Sequence, residues 1–258
     1  IKENFFSCEI SCLYLLTIIG LLIIPASYDF VSLFVGLEIS SIGSYVLIGY
    51  LNPNRLSLEG SIKYLILGAF STGVFLFGIG LLYTETGSLN INEIVSNSSN
   101  IQLTYLSRLG GVFILCGLCF KISLVPFHMW APDAYQAASS GITAFMAICI
   151  KLSIFVLSLR LSPLGMLLLP KDWVTCLVIL SILSMTLGNI FALVQTSLKR
   201  MLAYSSIAHS GYMAIALCSM DTQNILPYQT ILFYLISYGL SSLAIFGCLM
   251  LFESKDKE

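Results

Sequence analysis

The sequence predicts an all-α polytopic membrane protein of about eight helices. Three observations predict it. Hydrophobic residues make up 57% of the 258 and charged residues only 10%, against about 25% charged in a soluble domain. Mean hydropathy is +0.93. The apolar residues also come in runs of roughly 20, the length that crosses a bilayer as a helix, and breaker-rich segments such as Asn52-Pro53-Asn54-Arg55 separate the runs.

Residues 1–258 read as a single transmembrane domain, with helices over 10–26, 30–50, 59–83, 106–130, 141–161, 174–194, 201–220 and 228–252. The first is uncharged and ends at Pro25-Ala26-Ser27-Tyr28-Asp29. The second carries Glu38, and the third carries Lys63 in its first turns. Residues 87–103 form the longest loop, rich in Asn and Ser, and no role is assigned to it. The fourth helix is broken near Ser123–Pro126. Residues 132–140 read as a short surface segment, and the fifth helix has Lys151 halfway along. A loop over 163–172 precedes the sixth helix. The seventh contains His209, and the eighth ends in the charged run Glu253–Glu258.

Net charge is −1, so no basic field exists for nucleic acid. Most of the eight cysteines lie inside apolar runs. Cys116 and Cys119 are one helical turn apart, with no second pair at metal-ligand spacing, so they read as small apolar filler.

The stretch that organises the chain is Phe120-Lys121-Ile122-Ser123-Leu124-Val125-Pro126-Phe127-His128-Met129-Trp130-Ala131-Pro132-Asp133-Ala134-Tyr135-Gln136. Pro126 removes a backbone donor and pushes Val125 out of the α region. In hydrocarbon, a broken helix is tolerated only where protein buries it or it lines a wet cavity. Glu38, Lys121 and Lys151 lie inside helices, each with an insertion cost of about 2.5–3.5 kcal/mol at the bilayer centre. Such groups persist where they face one another or water, and linked sets of them can pass protons along.

Simpler readings stand beside this one. Lys63 is near enough a helix end to snorkel. Lys121 and Glu38 could form a structural clamp. His128 could cap carbonyls freed by the break, and His209 could be a satisfied structural histidine among Ser205, Ser206 and Ser210. Trp130 fits the aromatic belt at the membrane edge. Asp133 fits a cap for the segment after it.

The stretch from Phe120 to Gln136 closely resembles the signature of the antiporter-like membrane subunits of respiratory complex I. Ser32 to Glu38, Thr143 to Lys151, and Gln195 to Tyr212 resemble that family's other motifs, in order and spacing. Tyr135-Gln136 stands where two sister subunits and the related sodium/proton antiporter subunits usually have a histidine and an acidic residue.

The resemblance implies a bundle built from two inverted repeats, each with a broken helix. It implies a proton path through Glu38, Lys63, Lys121 and Lys151 with His128 and the further candidate His209, and a helix break at Pro126. It implies an enzyme role as a subunit of a proton-translocating NADH:ubiquinone reductase, with no cofactor, metal or redox site on this chain. NADH, FMN, iron–sulfur clusters and ubiquinone would belong to the complex as a whole. The alternatives are a non-pumping scaffold in the membrane arm and a subunit of a multisubunit cation/proton antiporter. Expected partners are other membrane-arm subunits, especially neighbouring antiporter-like ones, and lipids. The expected location is the mitochondrial inner membrane, with the bacterial plasma membrane as the alternative. The family's first and last helices have no counterpart here, the second broken helix included. The chain is therefore expected to be split or truncated, with a separate polypeptide supplying the C-terminal helices. Ala137 to Thr143 replaces a proline-rich run, so the start of the fifth helix is expected to be shaped differently.

Overall fold

Proline is where an apolar run should stop being a helix, yet among the described residues four prolines sit inside helices, two in first turns and two deeper. A computed structural model describes residues 2–50, 55–96, 104–169, 172–219 and 226–255. Helix α1 (Lys2–Ala26) contains Pro25. Proline at that place leaves the carbonyl four residues back, Leu21, without its helical donor. The Ser153 hydroxyl of a neighbouring helix donates to that carbonyl instead, and Arg160 donates to the Pro25 carbonyl itself. Helix α8 (Lys151–Leu168) contains Pro163, and there the adjacent Ser162 hydroxyl takes up the Leu159 carbonyl at 2.8 Å. Side-chain hydroxyls of this kind are how membrane helices re-satisfy freed backbone groups. Pro132 and Pro227 lie in the first turns of their helices, where no donor is missed.

The other elements follow in chain order. Helix α2 is Phe30–Tyr50, α3 is Arg55–Thr86, α4 is Ile91–Ser96 and α5 is Tyr105–Lys121. After the break come α6 (Trp130–Ala137) and α7 (Ser140–Phe145), which runs through a π turn (Met146–Ile150) into α8. Helices α9 (Asp172–Val194), α10 (Leu198–Cys218) and α11 (Leu226–Lys255) complete the order. Among the described residues there is no strand, only an isolated bridge between Asp29 and Asn90.

By length and composition, six helical stretches can cross a membrane: Cys8–Ala26, Phe30–Tyr50, Arg55–Thr86, Ser140–Leu168, Asp172–Val194 and Leu226–Glu253. Of the eight expected spans, two differ. The one over 106–130 becomes a 17-residue α5 and a separate α6. The one over 201–220 becomes α10, which holds Lys199 and Arg200 in its first turn and carries His209 among serines. Large apolar side chains cover the outer faces, with Leu193 88% and Phe233 75% exposed. In water such faces would drive aggregation; in a bilayer they face lipid.

Small residues let the helices approach. A Cβ on Gly188 of α9 would lie 2.8 Å from the Ala208 amide of α10, and one on Gly211 would lie 2.9 Å from the Ser181 carbonyl. This close pair positions both Ser184 on α9 and Ser206 on α10.

Three sequence expectations are corrected here. Residues 91–96 of the long loop form α4, because Ile91 and Ile94 are buried and Asn90 accepts from the Asn92 amide at 3.0 Å; residues 97–103 lie outside the described part, as does the turn at 52–54. The loop expected over 163–172 is helical as far as Leu168. Residues 132–140 are not a surface segment: α6 buries Trp130, Ala131, Ala134 and Tyr135 at 3% exposure or less.

Candidate functional site

The site begins with a helix that stops inside the protein. The last α-helical bond of α5 runs from the Ile122 amide to the Leu118 carbonyl, at 3.1 Å. Ser123 then adopts φ 56°, a left-handed conformation uncommon outside glycine. This turns the chain, so that the Leu124 amide reaches back to the Cys119 carbonyl at 2.9 Å. The Val125 amide, with no helical partner left, donates to Ser184 of α9 at 2.9 Å. The break expected at Ser123–Pro126 is thus present, and a hydroxyl from another helix closes it.

Lys121 is the last residue of α5, near the carbonyl end that favours a cation. It is only 4% exposed. Its ammonium donates to the Ser41 hydroxyl at 2.5 Å, and Ser41 donates to the Leu37 carbonyl of its own helix. Glu38 lies one turn before Ser41 on α2 and is half-buried. Glu38 and Lys121 form no ion pair within 4 Å among the described residues; Ser41 is the lysine's direct partner.

Lys151 follows the π turn directly. It is 2% exposed and donates across to α10, to the Ser206 carbonyl and to the Ser210 hydroxyl at 2.7 Å. The Tyr238 ring of α11 faces it, with 5.5 Å from ammonium to centroid, a cation–π distance. Tyr238 also lines a cavity of about 40 Å³, together with Ser206, His209, Ser241 and Ser242, among others. That is room for water by volume and by number of polar partners. The His209 ring nitrogen Nδ1 lies 2.7 Å from the Tyr234 hydroxyl. His128 is 6% exposed; its Nδ1 has no hydrogen-bond partner among the described residues, while its ring interacts with the backbone of Pro126 at the break.

At the membrane edge a third group gathers. Lys63 pairs with Glu59 at 2.7 Å and with Asp133 at 3.0 Å, and its side chain is 46% exposed. Arg200 holds the other oxygen of Asp133 at 2.7 Å and Gln136 at 3.1 Å. Asp133 therefore joins α3 and α10 through ion pairs rather than serving as a helix cap. Trp130 is not an edge anchor either. Its indole donates to the Phe120 carbonyl at 2.9 Å and stacks on Tyr64 with 4.3 Å between centroids.

The sequence-predicted residues thus fall into three places: Lys121 with nearby Glu38, Lys151 with His209, and Lys63 at the edge. No hydrogen bond or ion pair joins Lys121 to Lys151 directly among the described residues. The partners that sequence reasoning passed over are Ser41 for Lys121 and Tyr238 for Lys151, and Ser206 and Ser210, read only as neighbours of His209, also hold Lys151. Their signal was helical spacing: Ser41 is three residues after Glu38, and Ser206 and Ser210 are four apart on one face. Among the described residues no cluster of metal-ligating side chains forms.

The chain is similar to known membrane proteins over nearly its whole length. Residues 27–258 match a family described as the transmembrane part of NADH:quinone oxidoreductase and Mrp antiporters. NADH-quinone oxidoreductase subunit N of Cupriavidus taiwanensis is 39% identical over 264 residues, covering 100% of this chain and 54% of that one. The subunit N of Ruthia magnifica is 36% identical, covering 99% and 53%. The chain spans about half the length of the curated relatives it matches. Among solved structures, a chain of respiratory complex I from Thermus thermophilus is 34% identical with a TM-score of 0.76, covering 92% of this chain and 51% of that chain. A chain of an archaeal membrane-bound sulfane sulfur reductase is 31% identical with a TM-score of 0.82, covering 91% and 47%.

Proposed function

The chain belongs to the NADH:quinone oxidoreductase/Mrp antiporter transmembrane family, and from that premise we propose that it is a proton-translocating part of the membrane arm of respiratory complex I, of the subunit 2 (bacterial subunit N) class. Quinone reduction elsewhere in the complex would supply the driving force. Its partners would be the neighbouring antiporter-like subunits and the lipids against its apolar faces. Its membrane would be the mitochondrial inner membrane, or a bacterial plasma membrane, as its bacterial relatives would have it.

One observation carries this reading. Two lysines are 4% and 2% exposed, and each ammonium is held by hydroxyls or a carbonyl, with no carboxylate in contact among the described residues. A structural ion pair fixes its proton by a countercharge. Hydroxyls instead accept and donate, so they can hand a proton on. Ser41 does both: it accepts from Lys121 and donates to Leu37. Glu38, half-buried one turn away, would move its charge toward or away from Lys121 without displacing Ser41. Lys151 would take the next step, beside the cavity at His209 and Tyr238. Lys63, paired and exposed, would tune the field from the edge, and His128 would sit between break and edge. A scaffold alone has no need of two lysines so far from water.

The test is Lys121→Met and Lys151→Met, each in the assembled complex, with proton translocation and quinone reduction measured together. Both are expected to abolish or strongly reduce translocation per quinone reduced. Native translocation in fully assembled variants would sink the proposal and leave the scaffold.

A further inference from the structure

Helix α6 has only eight residues, too few to hold its place by itself. Arg200, near the start of α10, grips Asp133 and Gln136 on one side of α6. The neighbouring Lys199 donates to the Ala138 carbonyl just beyond its end, at 3.1 Å, and pairs with Glu253 of α11. On the other side, Lys63 of α3 takes the second oxygen of Asp133. The cations and carboxylates of this group balance one another. It therefore makes a poor anion site and a good clamp.

The clamp leads inward. Tyr135, between Asp133 and Gln136, is 1% exposed. Its side chain interacts with that of Ser206, the residue whose carbonyl holds the Lys151 ammonium. Ser206 donates its own hydroxyl to the Ala203 carbonyl at 2.7 Å, which leaves two lone pairs for the two tyrosines that interact with it, Tyr135 and Tyr238. The Tyr135 carbonyl accepts from Thr143 at 3.2 Å, and Thr143 lies on the helix that runs on to Lys151. A closed circuit results: Lys151 to Ser206 on α10, Ser206 to Tyr135 on α6, Tyr135 to Thr143 on α7, and along that helix back to Lys151.

We propose that Asp133 is a positioning residue for Lys151: by binding Arg200 and Lys63 it fixes α6 so that Tyr135 braces the serine that holds the lysine. The inference rests on the proposed proton path, since it assigns work to the lysine. Removing the Asp133 charge frees α6 at the edge, and Tyr135 then loses its seat on Ser206. A displacement of about 1 Å at a proton-transfer partner can change a rate by up to ~100-fold.

The experiment uses the assembled complex with Asp133→Asn, Asp133→Glu, Tyr135→Phe and, in parallel, Lys151→Met. The readout is protons translocated per quinone reduced. Asp133→Asn and Tyr135→Phe are expected to lower that ratio about tenfold, and Asp133→Glu is expected to restore most of it. Passive filling of space predicts no such rescue, because Asn matches Asp in volume better than Glu does. If Lys151→Met abolishes translocation while Asp133→Asn and Tyr135→Phe leave it native, the positioning role is overturned and the proton path stands. If Lys151→Met itself pumps normally, the underlying reading falls instead. Should Asp133→Asn prevent assembly, Tyr135→Phe decides: a native ratio overturns the proposal, and a lowered one supports it.

Discussion

The Lys151 ammonium and the Ser210 hydroxyl lie 2.7 Å apart, bridging α8 and α10. Ser210 in turn donates to the Ser206 carbonyl at 3.0 Å, which also receives the lysine. One lysine, one hydroxyl and one carbonyl thus form a small ring. Replacing Ser210 with alanine removes the acceptor and leaves a buried cation short of a partner, at a cost of about 1–3 kcal/mol. The expected outcome is a lower melting temperature of the purified complex and slower proton translocation. Ser210→Thr should recover both.

Ser184 carries an equal burden at the break. Its hydroxyl is the acceptor for the Val125 amide at 2.9 Å and itself donates to the Leu180 carbonyl at 2.6 Å. Ser184→Ala leaves a buried amide unpaired, again costing about 1–3 kcal/mol. Hydrogen exchange at Val125 is expected to speed up in this variant while that of mid-α9 amides stays slow.

Gly68 makes room for the hydroxyl of Tyr45. A Cβ there would lie 2.0 Å from the Tyr45 oxygen and 2.8 Å from the ring carbon that bears it. Tyr45 meets Tyr64 edge-on at 4.6 Å, and Tyr64 stacks on Trp130, so the strain would travel to the break. Gly68→Ala is expected to destabilise by about 1–3 kcal/mol, as overpacking does. Adding Tyr45→Phe should recover part of it, since the closest atom is then gone. A double-mutant cycle on thermal stability measures the coupling.

Asp29 gives a pH dependence outside the membrane spans. The Ser32 amide, at 2.8 Å, and the Ser32 hydroxyl, at 2.9 Å, donate to its carboxylate and hold it below the ordinary carboxylate value. A carboxyl depressed in the folded state stabilises above its unfolded pKa, and that stability is lost as pH falls through the folded value. Protection of the Ser32 amide is therefore expected to persist at neutral pH and to fall on acidification below about 4, the ordinary range for aspartate. Asp29→Ala should abolish the pH dependence and cost about 1 kcal/mol, as the loss of an N-cap does.

Much of this was legible in the residues because the signals were strong. Helix α2 ends where the apolar run ends, and Pro126 marked the break. Lys121 and Lys151 stood out because hydrocarbon leaves a lysine few explanations. What stayed hidden is physical too. Ser153 rescues Pro25 from 128 residues away in the chain, and no local rule for proline sees that. Trp130, Asp133 and Tyr135 read as edge residues because Pro132 and Gln136 look like a loop. Their burial depends on α3 and α10 closing over them. Glu38 and Lys121 read as partners by charge, and Ser41 won the contact because a hydroxyl on the same face reaches the ammonium first.

The π turn at Met146–Ile150 has a consequence for anyone cutting or aligning this stretch. A wide turn lodges one residue more than an α-helix needs, and each α residue advances the helix by about 100°. Deleting a single residue between 146 and 150 would let the turn relax to α geometry without shortening the span by more than a fraction of a turn. Downstream, the helix could keep its aim at Ser206 and Ser210. The same deletion placed after Ile154 would instead swing every later side chain to a new compass bearing. The turn is thus a built-in slack link, and tolerance to single-residue loss should peak there.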